Sequence, residues 1–364
     1  MAKHEAYELK QMQSLPLDIK IRMTKERIEQ WYEHWDGMVY VSFSGGKDST
    51  VLKHIVDSMY GDVPAVFVNT GLEYPEIQRF AMSQPNVVTV RPDMRFDEVI
   101  KKYGYPAIGK RQANAVELAR RNLEQSKYSL RLRLLGITAD EAKVMGLEMP
   151  PEEMLEKYEK AAHGSKFSIH QYRPLLEADF RISPSCCDVM KKKPSHLYQR
   201  ETGRRPILAT MAQESMIRAN AWFKNGCNAF NSKTPSSTPM AFWTEQDVLH
   251  YIKKYDVPYC SVYGDIVPVD DGEQFDGQLT TFDILNDYEG TLLKTTGCDR
   301  TGCIFCMFGC HLEKEPNRFQ RLKETHPRQY EYCIGGGEMV DGKWQPSKEG
   351  LGLGKVLDYI NVKY

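Results

Sequence analysis

The stretch Ser42-Phe43-Ser44-Gly45-Gly46-Lys47-Asp48-Ser49-Thr50 decides how this chain is read. It follows an apolar run, Met38-Val39-Tyr40-Val41, that reads as a buried strand. It precedes Val51-Leu52-Lys53-His54-Ile55-Val56, which reads as the start of a helix. A strand that passes through a glycine-rich turn into a helix N-terminus is suited to holding phosphate. Glycine lets the backbone approach the anion, the first N–H groups of the helix have no partner within it, and the helix dipole favours negative charge. The spacing is not that of a Walker A loop, because four residues do not separate a first glycine from a Gly-Lys-Ser/Thr.

Further strand-like runs alternate with helix-like ones: Ala65-Val66-Phe67-Val68-Asn69, Val87-Val88-Thr89-Val90 and Pro206-Ile207-Leu208-Ala209-Thr210. The alternation predicts an α/β fold with a doubly wound, mostly parallel sheet and helices on both faces. In such sheets ligands sit at the carboxyl ends of strands. That gathers residues 44–49, 70–73, Arg91 and 213–218 around one crevice. The expected domains are an N-terminal helical segment (1–35), a nucleotide-binding domain (36–260) with a helical insertion at about 101–181, and a cysteine-rich C-terminal region (261–364) that binds a cluster and caps the crevice. Within the insertion, residues 101–133 carry nine basic residues against Glu117 and Glu124. Such a run is either a solvated helix face or a grip on the phosphates of a nucleotide or nucleic acid. The acidic residues 139–160, with Pro150-Pro151, mark a boundary.

With 364 residues the chain has ample length to bury a core, and its net charge of −1 argues against a strong bulk field for nucleic acid. There is no run of about 18 apolar residues, so no membrane span is expected. The N-terminus shows no apolar signal region, which points to a cytoplasmic, reducing setting. There the nine cysteines are expected as metal ligands or catalytic thiols rather than disulfides. Cys186 and Cys187 are adjacent, and Cys303-Ile304-Phe305-Cys306 forms a Cys-x-x-Cys turn. Adjacent cysteines do not easily chelate one small tetrahedral zinc, but they can reach two irons of a cube. This favours a 4Fe-4S cluster on Cys186, Cys187, Cys303 and Cys306 over zinc or free thiols. Cys298 and Cys310 are substitute ligands, so three or four thiolates remain open. Cys227, Cys260 and Cys333 lie in no motif and read as small buried hydrophobes.

Residues 44–49 resemble the PP-loop, Ser-Gly-Gly-x-Asp-Ser, of enzymes that split ATP into AMP and pyrophosphate. The ordered set of features is similar to the phosphoadenosine phosphosulfate (PAPS) reductase-like family of PP-loop enzymes, of adenine nucleotide alpha hydrolase-like fold, in its iron–sulfur branch. The set comprises Val68-Asn69-Thr70-Gly71-Leu72-Glu73-Tyr74-Pro75-Glu76, the Cys186-Cys187 pair with Lys191 and Pro194, Glu214-Ser215 with Arg218, Trp243-Thr244-Glu245-Gln246-Asp247-Val248 with Ile252, Pro258-Tyr259, and Cys303 with Cys306. The resemblance spans about residues 36–310. It implies ATP with Mg²⁺ held by Ser44, Gly45, Gly46, Lys47, Asp48 and Ser49, with Thr70, Gly71, Glu73, Glu214 and Ser215 lining the site. Asp48, Lys47, Arg218 and Lys191 are the catalytic candidates: Asp48 for the metal, the three cations for phosphate or the incoming anion. Glu73 is a candidate for metal or ribose.

The departures choose among the family's chemistries. Sulfonucleotide reductases typically carry a degenerate PP-loop and a cysteine in a Glu-Cys-Gly-Leu-His-like motif near the C-terminus; here the loop is whole and that motif is missing. Met211 and Met190 stand where relatives carry arginine. The expected function is therefore ATP-dependent adenylation of an acceptor, releasing AMP and pyrophosphate, coupled to sulfur transfer. One alternative is a cluster-containing PAPS or adenylyl sulfate reductase using Cys333 or a mobile cysteine. Another, of a different class, is a nucleotide-sensing or nucleic-acid-binding module without turnover. The partners implied are ATP, an acceptor (nucleobase, nucleic acid or small molecule), and a cysteine desulfurase or other donor of sulfur or electrons. A homodimer is compatible with the sequence. The glycines at 335–337 and 350–354 read either as a flexible flap over the crevice or as simple turns.

Overall fold

The computed structural model describes residues 4–124, 126–156, 170–269 and 291–364. Parts of the expected insertion (125 and 157–169, with 157–160 of the acidic stretch) and of the C-terminal region (270–290) lie outside the described residues. The chain divides into two compact units, each built from two stretches of sequence: Met1–Pro92 with Lys193–Gly302, and Asp93–Lys192 with Cys303–Tyr364.

In the first unit, α1 (Ala6–Gln13) and α2 (Leu17–His34) precede the sheet. The strands in chain order are β1 (Val39–Phe43), β2 (Ala65–Val68) and β3 (Val87–Val90), then β4 (Ala107–Ile108) in the second unit, then β5 (Arg205–Ile207). The central sheet has the order β3-β2-β1-β5 and is parallel throughout, with Val41 opposite Ala65 on one side and Ile207 on the other. The helix α3 (Lys47–Asp57) follows β1 and α4 (Pro75–Ser83) follows β2.

Both faces of the sheet are covered, which is why its strands are nearly continuous apolar runs rather than alternating ones. On one face Val39, Val41 and Phe43 pack with Ile28 and Trp31 of α2, Val51, Leu52 and Ile55 of α3, and Trp243 and Val248. On the other, Tyr40 and Val66 meet Tyr198. Helices α1 and α2 are thus part of the core of this unit. The chain runs outward from β1 to β3 and returns to β5 on the far side of β1. The switch point of the sheet, where ligands bind in such folds, is therefore between β1 and β5.

The second unit contains α5 (Phe96–Tyr103), α6 (Lys110–Glu124), α7 (Leu130–Leu134) and α8 (Ala139–Val144). The basic run does not form one solvated face. Arg120 donates to the carbonyl oxygens of Phe180 (2.9 Å), Ala178 (3.1 Å) and Leu175. Arg133 is buried, donates to the Leu155 carbonyl at 2.5 Å and lies 5.6 Å from the centre of the Tyr128 ring. Two of the nine expected surface cations are thus spent on satisfying buried backbone oxygens.

The glycines near the C-terminus pack backbone against backbone and do not form a free flap. A Cβ on Gly350 would lie 2.5 Å from the Gly335 oxygen, and one on Gly336 would lie 2.3 Å from the Gly350 nitrogen.

Candidate functional site

The phosphate loop leaves β1 at the switch point and is knit together by its own hydroxyls. Ser44 Oγ and Ser49 Oγ are 3.0 Å apart, Ser49 Oγ donates to the Gly46 oxygen at 2.9 Å, and Gly46 N donates to Ser44 Oγ at 3.3 Å. Gly45 is required twice over. Its φ is +73°, and a Cβ there would stand 3.0 Å from Ile77 Cγ2 and 3.1 Å from Ala81 Cβ. Gly46 caps α3, whose first helical residue is Lys47.

Lys47 is only 3% exposed. Its Nζ lies 3.0 Å from Glu245 Oε1, 3.0 Å from the Asp299 carbonyl oxygen and 3.5 Å from Asp48 Oδ1. Burial disfavours the ammonium, but the carboxylates of Asp48 and Glu245 outweigh it and hold Lys47 above the ordinary lysine range, firmly charged. Asp48 Oδ1 is buried and makes no hydrogen bond. An orphaned carboxylate oxygen beside a phosphate loop is the kind of donor that a hard divalent cation takes.

The other expected residues take distinct places. Thr70 donates to both oxygens of Glu73, from Oγ1 at 2.7 Å and from N at 3.0 Å, so Glu73 closes a turn at the end of β2. Gly71 N donates to Asn69 Oδ1 at 3.2 Å in the same turn. Beyond β5, Glu214 accepts from Met211 N at 2.9 Å and pairs with Arg218. Ser215 Oγ accepts from Arg218 N at 3.3 Å, capping the helix Met216–Asn225. Burial and the neighbouring Arg300 pull Arg218 below the usual arginine range, while Asp48 acts the other way. Arg218 therefore lies within electrostatic reach of both Arg300 and Asp48. A cleft of about 430 Å³ opens beside Arg218, lined also by Thr210, Trp222, Asn225, Cys227 and Thr238. Arg91 is exposed. Met211 and Met190, in place of the relatives' arginines, are buried.

Sequence reasoning missed Glu245, Tyr263, Asp299, Arg300 and Thr301 as parts of the phosphate-loop surroundings. The signal for Glu245 lay inside the Trp-Thr-Glu-Gln-Asp-Val segment. Trp243 Nε1 donates to Thr24 Oγ1 at 2.8 Å, and Asp247 Oδ2 accepts from Lys20 Nζ at 2.7 Å and from Thr244 N at 2.6 Å. These bonds cap the helix Glu245–Tyr255 and tie its start to α2, which fixes Glu245 in front of Lys47. Tyr263, which receives a hydrogen bond from Lys47 N at 3.1 Å and shares one with Thr301 at 2.7 Å, had no motif to reveal it.

The cysteines of interest lie in the second unit. Cys186 is buried, and Cys187, Cys303 and Cys306 are half-buried. The Cys186 thiol is pushed strongly up by its hydrogen bond with Cys187, by burial, and by the charges of Cys187, Cys303 and Cys306. Cys187 is pulled down: Cys186 hydrogen-bonds to it, burial opposes this, and Lys110 and Lys191 add positive charge. Lys191 is thus placed beside Cys187.

Among the described residues no three His, Cys, Asp or Glu side chains are close enough to grip a single ion. An all-thiol donor set is one that both zinc and iron–sulfur cubes take. Cys310 is held otherwise. Its thiol donates to the Met307 carbonyl at 3.0 Å and is pushed up to about 12 by burial. Cys298 belongs to the first unit. Cys227, Cys260 and Cys333 are buried as expected, and burial raises each thiol.

No helix among the described residues is long and apolar enough to cross a membrane. The chain is 30% identical over 114 residues to an uncharacterized protein of Methanocaldococcus jannaschii. That match spans 26% of this chain and 28% of the relative, so the chain covers under a third of that protein's length. It is also similar to the crystal structure of a PAPS reductase from Candida auris in a phosphate complex. There the identity is 12%, the cover is 71% of this chain and 91% of that one, and the TM-score of 0.33 is too low to carry an argument. The profile of the phosphoadenosine phosphosulfate reductase domain matches residues 38–116 and 138–307, more than half of the chain. On that match, joined to a parallel α/β sheet with the phosphate loop at its switch point, the chain belongs to the phosphoadenosine phosphosulfate reductase domain family.

Proposed function

We propose that this protein splits ATP into AMP and pyrophosphate to adenylate an acceptor and that the adenylate is then replaced by sulfur. The observation that carries the reading is the complete phosphate loop: a buried, charged Lys47, an Asp48 oxygen that makes no hydrogen bond, and Arg218 within electrostatic reach of Asp48. In this reading the loop and the N-terminus of α3 hold the pyrophosphate portion of ATP, Lys47 offsets its charge, and Asp48 holds Mg²⁺, which when bound screens the phosphates. An acceptor oxygen, seated in the cleft beside Arg218, attacks the α-phosphorus. The new O–P bond forms as the bond to the β-phosphate oxygen breaks, and pyrophosphate leaves with that electron pair. A hydrosulfide-class donor then attacks the activated carbon and displaces AMP, losing its proton to solvent. Positioning and charge neutralisation are the protein's main contributions.

Cys186, Cys187, Cys303 and Cys306 are the residues that would hold a 4Fe-4S cluster, with Lys110 and Lys191 beside Cys187. Such a cluster supplies a fixed charge or, with an open iron, a place for sulfide. The reductase alternative is disfavoured because Cys333, its candidate nucleophile, is 0% exposed with a thiol that burial keeps protonated. The binding-module alternative loses Arg120 and Arg133 to the interior.

Anaerobically purified protein should hold about four irons per chain and should form AMP and pyrophosphate from ATP with Mg²⁺ when acceptors are supplied. Asp48→Asn should abolish pyrophosphate release. Full activity in Asp48→Asn would refute the metal role. Sulfite formation from adenylyl sulfate and a thiol, without ATP cleavage, would put the reductase first.

A further inference from the structure

The phosphate loop is already occupied from within. The first amide of α3, Lys47 N–H, is the group a phosphate oxygen is expected to take, and it donates instead to Tyr263 Oη at 3.1 Å. The same oxygen sits 2.7 Å from Thr301 Oγ1, and a Cβ on Gly46 would approach it to 3.2 Å. The Tyr263 ring stands 5.5 Å from Lys47 Nζ, whose charge is met by Glu245, 3.0 Å away. Tyr263 is 2% exposed, so this is no casual surface contact. Backbone bonds pin it there: Gly297 N donates to the Tyr263 carbonyl at 2.8 Å and Cys298 N to the Val262 carbonyl at 3.0 Å.

From this arrangement we infer that the Tyr263 hydroxyl and the Glu245 carboxylate are internal stand-ins for phosphate, which the pyrophosphate portion of ATP displaces on binding. The inference rests on the nucleotide reading given above and adds to it the residues that set the affinity for the triphosphate. The neutral hydroxyl oxygen accepts the amide that a phosphate oxygen would accept, and the carboxylate holds the ammonium that would pair with phosphate charge. A ligand gains only the difference between its own contacts and those it breaks. AMP, which lacks the pyrophosphate portion, breaks neither.

The test is equilibrium binding of inorganic pyrophosphate, ATP and AMP, with Mg²⁺, to the full chain by calorimetry. Tyr263→Phe keeps the ring beside Lys47 and deletes only the oxygen. Pyrophosphate and ATP are expected to bind about 2- to 10-fold more tightly, the span of one net hydrogen bond, while AMP is unchanged. Unchanged or weaker pyrophosphate binding in a folded Tyr263→Phe, or equal tightening of AMP, overturns the inference. Should Tyr263→Phe not fold, Glu245→Gln decides. It preserves shape, removes the competing charge and is expected to tighten pyrophosphate; weaker or unchanged binding overturns the inference. Wild-type protein that binds neither pyrophosphate nor ATP overturns the nucleotide reading and this inference with it. Wild-type binding without tightening in the variants overturns this inference alone.

Discussion

The ion pair between Lys20 and Asp247 allows the support of the site to be tested quantitatively. Both side chains are 0% exposed and their atoms are 2.7 Å apart. Removing one partner of a buried pair leaves an uncompensated charge and costs about 3–5 kcal/mol. In Lys20→Met the aspartate keeps its bonds from Thr244 N (2.6 Å) and Thr244 Oγ1 (3.0 Å), so the loss should fall at the low end, about 3 kcal/mol. Asp247→Ala strands the ammonium and also deletes a helix cap, adding about 1 kcal/mol, for a total of about 4–6 kcal/mol. The double variant should lose less than the sum by at least about 2 kcal/mol, because the two changes remove one shared interaction. Urea unfolding followed by tryptophan fluorescence suits the test, since Trp31 and Trp243 lie in the core of this unit and four of the five tryptophans belong to it. A Lys20→Met variant within about 1 kcal/mol of wild type, or strict additivity in the double variant, would refute the claim that this pair anchors the start of the helix carrying Glu245.

Other predictions concern the second unit. Burial favours the protonated form of Glu313, but the hydrogen bonds and charge of Arg318 prevail and hold its carboxyl below the usual range. As pH falls below about 4.3 the unfolded chain takes up a proton that the folded one does not. The stabilisation from Glu313 is therefore complete above that pH and is lost as pH drops through the lower folded value. Glu313→Gln should cost about 1 kcal/mol at pH 7, discounted for partial exposure, and melting curves should show a shallower acid decline than in wild type; equal slopes would contradict the pairing. Cys333→Ser should lose about 1–2 kcal/mol by burying a hydroxyl yet keep pyrophosphate release, and a folded but inactive Cys333→Ser would revive the reductase reading. Cys303→Ala should lose iron relative to wild type; unchanged iron content in the folded variant would contradict its place among the ligands.

The sheet was legible in the sequence because parallel strands covered on both faces must be apolar along their length, as Val39-Tyr40-Val41 and Ala65-Val66-Phe67-Val68 are. The loop was legible because Gly45 answers a local backbone demand. Roles that depend on distant partners were not legible. Nothing in residues 101–133 tells an arginine that caps carbonyls, such as Arg120, from one in water. Glu73 reads in sequence as a candidate for metal or ribose, and nothing there shows that its oxygens accept from Thr70 three residues earlier. Tyr263 and Asp299 reach the loop from more than 200 residues away, and their neighbours in sequence carry no pattern that the loop requires.

Lys47 shows why the site had to be occupied from within. An ammonium that is 3% exposed cannot be left unpaired, whether or not an anion is bound, because desolvation alone would strip its proton. A phosphate loop that stays open to water can leave its lysine solvated until ligand arrives; a loop that buries its lysine cannot. The burial that strengthens the lysine's pull on phosphate therefore calls for counter-charge in the ligand-free protein, and Asp48 at 3.5 Å and Glu245 at 3.0 Å supply it, Glu245 from outside the loop. Placing this carboxylate on the first turn of a helix has a second effect, because the positive end of the helix dipole steadies it. Phosphate must then compete with a well-placed carboxylate for the same ammonium. In the proposed ATP reading, Lys20 and Asp247, which hold that helix, therefore bear on phosphate binding through Glu245.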